Sequence, residues 1–159
     1  MNTTRTARRS LRNRSLGIVA GIGIAAGLAA TGAGLASAGT MPISHPGEPT
    51  VAMTITNHTN RTEYLAGANA GTGEWVNAPR RTLAPGATEI VTAAAPHSNH
   101  ETVTINYRIG RVGPHAVYQL VNSPSGANTN ATGVTGGNYW INADISTGFP
   151  NANVGYDLW

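Results

Sequence analysis

Glu101 to Gly110, ETVTINYRIG, is the stretch that decides the fold of this chain. Val103, Ile105, Tyr107 and Ile109 fall on one side of an extended backbone, and Thr102, Thr104, Asn106 and Arg108 fall on the other. A helix would scatter both sets around its circumference. β-branched and aromatic residues at every second position fit a pleated strand with one face in a core and one in water. Gly110 to Pro114 then supplies a turn, and Ala116 to Val121 (AVYQLV) returns as the second arm of a hairpin.

The same period recurs outward in both directions. Upstream, Val51, Met53 and Ile55 alternate with Thr54 and Thr56, and the run ends at the turn-forming Asn57-His58-Thr59-Asn60. Thr62 to Leu65, Glu74 to Val76 and Thr88 to Thr92 read as shorter strands, punctuated by Pro79 and Pro85-Gly86. Downstream, Ala131 to Thr135, Asn138 to Ser146 and Ala152 to Trp159 complete the series. No segment carries an amphipathic helical period. About seven to eight short strands at regular spacing predict an all-β fold, an antiparallel β-sandwich over residues 50–159, with a small barrel as the related solution. Residues 39–49, GTMPISHPGEP, are rich in Pro and Gly and read as an extended arm leading into it.

The charge of the chain is divided unevenly. Arg5, Arg8, Arg9, Arg12 and Arg14 precede an apolar run from Leu16 to Ala30, which is followed by Ala36-Ser37-Ala38. A basic segment, an apolar segment and an A-x-A triplet, in that order, predict a secretory signal peptide over residues 1–38 and a secreted product. The competing reading is a transmembrane anchor, but six Gly between Leu16 and Leu35 dilute the hydropathy. Arg8-Arg9 leaves both Sec and twin-arginine export open. The absence of Cys removes a lipoprotein anchor and any disulfide, so packing and sheet hydrogen bonds must carry the stability.

Beyond residue 38 the remaining five Arg (Arg61, Arg80, Arg81, Arg108, Arg111) face seven acids, a balance of minus two, and there is no Lys. Nucleic-acid binding needs several cations tracking phosphates, and so scattered a set does not supply a track. Catalytic motifs are missing too. His97 and His100, with Glu101 beside them, form H-x-x-H in a loop, but zinc needs further ligands that the sequence does not announce. There is no G-x-S-x-G elbow, H-E-x-x-H or phosphate-cradling glycine loop, and the acids stand singly. The sequence asks for neither enzyme activity nor a cofactor.

Binding is the better-supported class, and its candidates are aromatic. Trp75 lies in the polar segment TGEWVNAPRR, and Trp140 alternates against Tyr139, Ile141 and Ile145, which predicts an outward indole. An apolar ring with one polar handle suits a membrane interface or a sugar surface. The alternative use of both tryptophans is as core filler.

TVAMTITNHTN, GEWVNAP, LAPG, ETVTINYRIG and YQLVNSPSGANT, in this order, resemble the aegerolysin-like proteins, in particular their bacterial branch. The stations are short, and Leu120, Val121 and Ser123 depart from the acidic, aromatic and N-P pattern of the later one. The resemblance implies a β-sandwich that recognises membrane lipids at the level of their head groups and in some relatives acts with a pore-forming partner. Carried over by position, it implies ligand-binding roles for Glu74, Trp75, Tyr118, Asn122 and Asn128. Trp140 joins them from the strand pattern, and Arg80 with Arg81 as a guanidinium pair suited to a phosphate. A protein-interaction module of the cell envelope and a carbohydrate-binding module are the alternative functions.

Overall fold

The computed structural model describes residues 47–159. The expected signal peptide and the arm as far as residue 46 lie outside the described residues. Those described form eleven strands and no helix: β1 (Thr50–Asn57), β2 (Glu63–Asn69), β3 (Glu74–Asn77), β4 (Thr82–Leu83), β5 (Thr88–Ala94), β6 (Glu101–Ile109), β7 (His115–Ser123), β8 (Gly126–Asn128), β9 (Gly133–Val134), β10 (Ile141–Thr147) and β11 (Asn151–Leu158). They build two sheets, one in the order β10-β11-β1-β5-β3 and the other β4-β2-β6-β7-β8, with β9 also paired to β7. The sheets pack face to face as a β-sandwich.

β6 has the alternation its sequence predicts: Val103, Ile105, Tyr107 and Ile109 are buried while Thr102, Thr104 and Asn106 are half-buried and Arg108 is exposed. Its hairpin partner β7 pairs antiparallel in unbroken register, from Glu101 opposite Asn122 to Arg108 opposite His115. From the other sheet Val51, Met53 and Ile55 of β1, Val91 and Ala93 of β5, and Val154, Tyr156 and Leu158 of β11 close the core. Each fully buried Val, Ile, Leu or Met among them is worth about 1.5–3 kcal/mol over leaving it in water.

One pairing breaks the antiparallel rule. β1 runs parallel to β11, Thr50 opposite Asn151 through Asn57 opposite Leu158, so the first and last strands lie side by side in the middle of their sheet. Sequence periodicity identifies both strands but says nothing about which neighbours which. β4 and β8, of two and three residues, are too short to carry a period.

Three tyrosines run through the core. Tyr118 meets Tyr107 edge-on at 6.3 Å between ring centroids and Tyr156 at 5.4 Å. A buried phenol must find a partner. Tyr107 donates to Glu89 Oε1 and to the Arg80 carbonyl, each at 2.6 Å, Tyr118 to Glu63 Oε1 at 2.7 Å, and Tyr156 to the Gln119 carbonyl. Burial, with the neighbouring carboxylates, pushes the Tyr107 and Tyr118 phenols well above their usual range, and burial alone does so for Tyr156.

Candidate functional site

Strand register sorts the loops into two ends. Asn57 and Ile141 both stand beside Leu158, Glu63 is opposite Ile109, and Arg108 is opposite His115. The segments 58–62, 110–114 and 136–140, together with Trp159, therefore share one end of the sandwich. The other end holds Thr50, Glu74, Glu101 and Asn122, tied by the pairings Thr50 with Ala94, Glu74 with Ala94 and Glu101 with Asn122.

At the first end the aromatic residues form a stack. Trp140 and Trp159 lie 6.0 Å apart at 19° between ring planes, and the opposite face of that short column is His58, 3.9 Å from Trp159 at 4°. His58 Nε2 contacts Asp157 Oδ1 at 2.8 Å, which holds the imidazole flat against the indole. Trp140 remains 57 % exposed and Trp159 42 %. Large apolar rings left in water at the tip of a fold, next to polar edges, are the composition of an interaction surface.

Beside the stack is a cavity of about 220 Å³. Arg61, Ile109, Arg111, Val112, Pro114 and Tyr139 line it, so a turn from each of two neighbouring strand connections closes on the residue preceding Trp140. Both arginines are exposed, neither is ion-paired among the described residues, and Val112 projects fully into solvent.

The turn that presents His58 and Arg61 is fixed by one buried amide. Asn57 Nδ2 donates to the carbonyls of Arg61, Leu83 and Ala84 at 2.8, 3.1 and 3.3 Å, and Asn57 Oδ1 accepts from the Thr59 amide and hydroxyl at 3.0 and 2.7 Å. The side chain satisfies backbone groups that no strand ladder reaches.

The residues singled out from sequence do not converge here. Trp140 is outward as the alternation predicts. Trp75 instead packs against the core from the edge strand β3, with exposed Glu74 beside it at the opposite end. Tyr118 and Asn122 are wholly buried, which corrects their assignment to a ligand surface. The Tyr118 hydroxyl is held by Glu63, and Asn122 Nδ2 donates to the Thr50 and Pro150 carbonyls at 2.9 and 2.6 Å. Asn128 is half-buried on β8. Arg80 and Arg81 are exposed in the crossing from β3 to β4, where the Arg80 amide donates to Glu89 Oε2 at 2.9 Å and the Arg81 carbonyl accepts the Leu65 amide at 2.9 Å.

Buried carboxyls lie deeper. Burial pushes Glu63 up to about 7, against the lowering effect of its Tyr118 hydrogen bond and with a raising contribution from Glu89. Burial alone pushes Glu101 up to about 7, and neither of its oxygens has a hydrogen-bond partner among the described residues. His97 and His100 are exposed in the loop before β6, where His100 Nδ1 contacts Ser98 Oγ and Asn99 Oδ1. Among the described residues no group of three or more His, Cys, Asp or Glu could hold a metal.

The architecture has a solved counterpart. A crystal structure of the lipid-binding protein Nakanori superposes with a TM-score of 0.55, covering 69 % of this chain and 70 % of that one at 9 % identity. The two chains share a fold. At that identity the likeness extends to the sandwich and not to individual side chains. No protein-family model matches the sequence, and no curated protein does.

Sequence reasoning passed over His58, Arg61, Arg111, Tyr139 and Trp159 as a group. Each sits in or beside a turn that was legible, but only the pairings of β2 with β6 and of β10 with β11 bring those turns to one end.

Proposed function

We propose that this chain is a secreted, non-catalytic β-sandwich that binds membrane lipids at the level of their head groups through the end carrying Trp140 and Trp159. The single observation behind this reading is the exposed, mutually stacked indole pair. Indoles are favoured at the boundary between water and hydrocarbon because the ring is apolar and the N–H is not. A rigid pair enters that boundary without a further loss of rotamer freedom. The likeness in fold to a protein described as lipid-binding, and the resemblance of the sequence to aegerolysins, support the same reading. The aegerolysin resemblance extends it to a pore-forming partner supplied by a second protein.

The test is retention on vesicles. Retention should fall on Trp140→Ala and on Trp159→Ala, each compared with the parent chain so that the N-terminal segment is common to all. Capture by a glycan array with indifference to vesicles would move the stack to a carbohydrate-binding role, and indifference to both would remove the adhesive reading.

A further inference from the structure

The cavity beside the indoles has a chemistry of its own. Two guanidinium-bearing residues, Arg61 and Arg111, come from different turns to line one recess, and among the described residues no carboxylate lines it. Of the acids at this end, Asp157 is engaged by His58, and Glu63 is buried with its Oε1 on the Tyr118 hydroxyl. Two cations in one concavity, neither ion-paired among the described residues, repel each other, an arrangement that an anion bound between them would relieve. A guanidinium presents parallel N–H donors in a planar fork that matches two oxygens of a phosphate. Arg61 leaves a turn pinned by Asn57, and Arg111 a turn closed by hydrogen bonds from the Ile109 amide to the Pro114 carbonyl (2.8 Å) and from the Gly110 amide to the Thr62 carbonyl (2.8 Å). The two bases are thus held on one platform.

Size narrows the ligand. At about 220 Å³ the recess is below the ~300–1,000 Å³ typical of sites enclosing a drug-sized molecule, and suits a small head group. Its surroundings narrow it further. Val112 stands 97 % exposed on the rim and Tyr139 leads directly into Trp140, so whatever enters the recess arrives beside apolar groups facing outward. A free anion has no use for them, whereas the phosphate of an amphiphile does.

We infer that Arg61 and Arg111 form a phosphate site, and that its ligand is the phosphate of an anionic phospholipid whose acyl region meets Val112, Trp140 and Trp159. This rests on the membrane reading above and gives it a lipid class.

The experiment compares retention of the full chain on vesicles of phosphatidylcholine alone and of phosphatidylcholine with phosphatidic acid, and adds inorganic phosphate as a separate arm. The parent should favour the acidic vesicles over the Arg61→Ala/Arg111→Ala double variant by roughly thirtyfold, the increment for two arginines at an anionic surface. On phosphatidylcholine alone, whose single phosphate charge is offset by the choline ammonium, the double variant should lose much less than on the acidic vesicles. Arg108→Ala, which removes an exposed cation at the same end that is not among the residues lining the recess, should cost less than Arg61→Ala or Arg111→Ala alone. Inorganic phosphate titrated into the protein should shift the Gly110 and Gly113 amide resonances of the parent and not of the double variant. An unchanged preference in the double variant, or equal losses for Arg108→Ala and the two site variants, overturns the inference while leaving the membrane reading intact. Shifted resonances with no retention by any vesicle support the phosphate chemistry with free phosphate as its source, and overturn the membrane reading.

Discussion

Trp140 and Trp159 are joined twice, by a reciprocal pair of backbone hydrogen bonds of 3.1 and 3.0 Å and by the stacking of their rings. The backbone link extends the β10–β11 ladder by one residue pair beyond Ile141 and Leu158. It therefore places two indoles side by side at the end of the sheet, where side chains meet solvent. Trp159 also stacks on His58, which Asp157 holds. The middle member of the column is thus gripped from both sides and the outer one from one side.

Unequal grip predicts unequal stability effects. Trp159→Ala loses contacts with both neighbours and should cost about 1–2 kcal/mol, whereas Trp140→Ala, at a more exposed ring with one partner, should cost less than about 1 kcal/mol. Urea midpoints of the two variants measure the difference. Equal losses would mean that His58 contributes nothing to the column.

Asn57 governs the turn that carries His58 and Arg61. Replacement by Ala leaves the Leu83 and Ala84 carbonyls and the Thr59 donors without this partner in a buried site, at a cost of about 2–4 kcal/mol. Amide exchange at Thr59 should accelerate in the same variant. A loss within error of zero would show that the turn is fixed by something other than the amide.

Gly113 cannot take a side chain. A Cβ there would lie 1.8 Å from the Ile109 carbonyl oxygen, a backbone atom that cannot swing away. Gly113→Ala should cost at least about 1–3 kcal/mol, the range for overpacking, and should disturb the wall of the cavity. Thermal unfolding of the variant provides the check, and an unchanged midpoint would contradict the close approach.

Stability should fall as pH rises through the weakly acidic range. Glu63 has an ordinary value of 4.5 and is pushed up to about 7 in the folded protein, so the native state binds the proton more tightly than the unfolded chain. Below 4.5 the carboxyl is protonated in both states, and above about 7 it is ionised in both. Between them the native state loses up to about 3 kcal/mol relative to the unfolded one. Glu101 shifts in the same direction and steepens the trend. Glu63→Gln retains an acceptor for Tyr118 and removes one titration, so urea midpoints at pH 5 and pH 8 should converge in that variant. A parent protein more stable at pH 8 than at pH 5 would contradict the assignment.

The sandwich was legible because burial on one face imposes a period of two, which Val103 to Ile109 keep without interruption; β1 shows the period in Val51, Met53 and Ile55, although it is a central strand buried on both faces. Trp140 was legible for the same reason. Tyr118 was misread because a resemblance in sequence order says nothing about face: it shares the inward parity of Ala116 and Leu120, and alternation along β7 would have assigned it to the core. Asn122 shares that parity, but a polar residue there looks like a surface residue until the Thr50 and Pro150 carbonyls that need its amide are located. The pairing of Arg61 with Arg111 had no local signal. It depends on Glu63 standing opposite Ile109, a register that only the folded sheet defines.

The central claim is that the stacked indoles are the membrane-facing surface. It is tested most directly by co-sedimentation of the parent chain, Trp140→Ala and Trp159→Ala with phospholipid vesicles at equal protein concentration. The account predicts that both variants stay folded and that each loses about tenfold in retention, as expected for withdrawing roughly 1.4 kcal/mol of interfacial contact. Folded variants that sediment with vesicles as fully as the parent would contradict it.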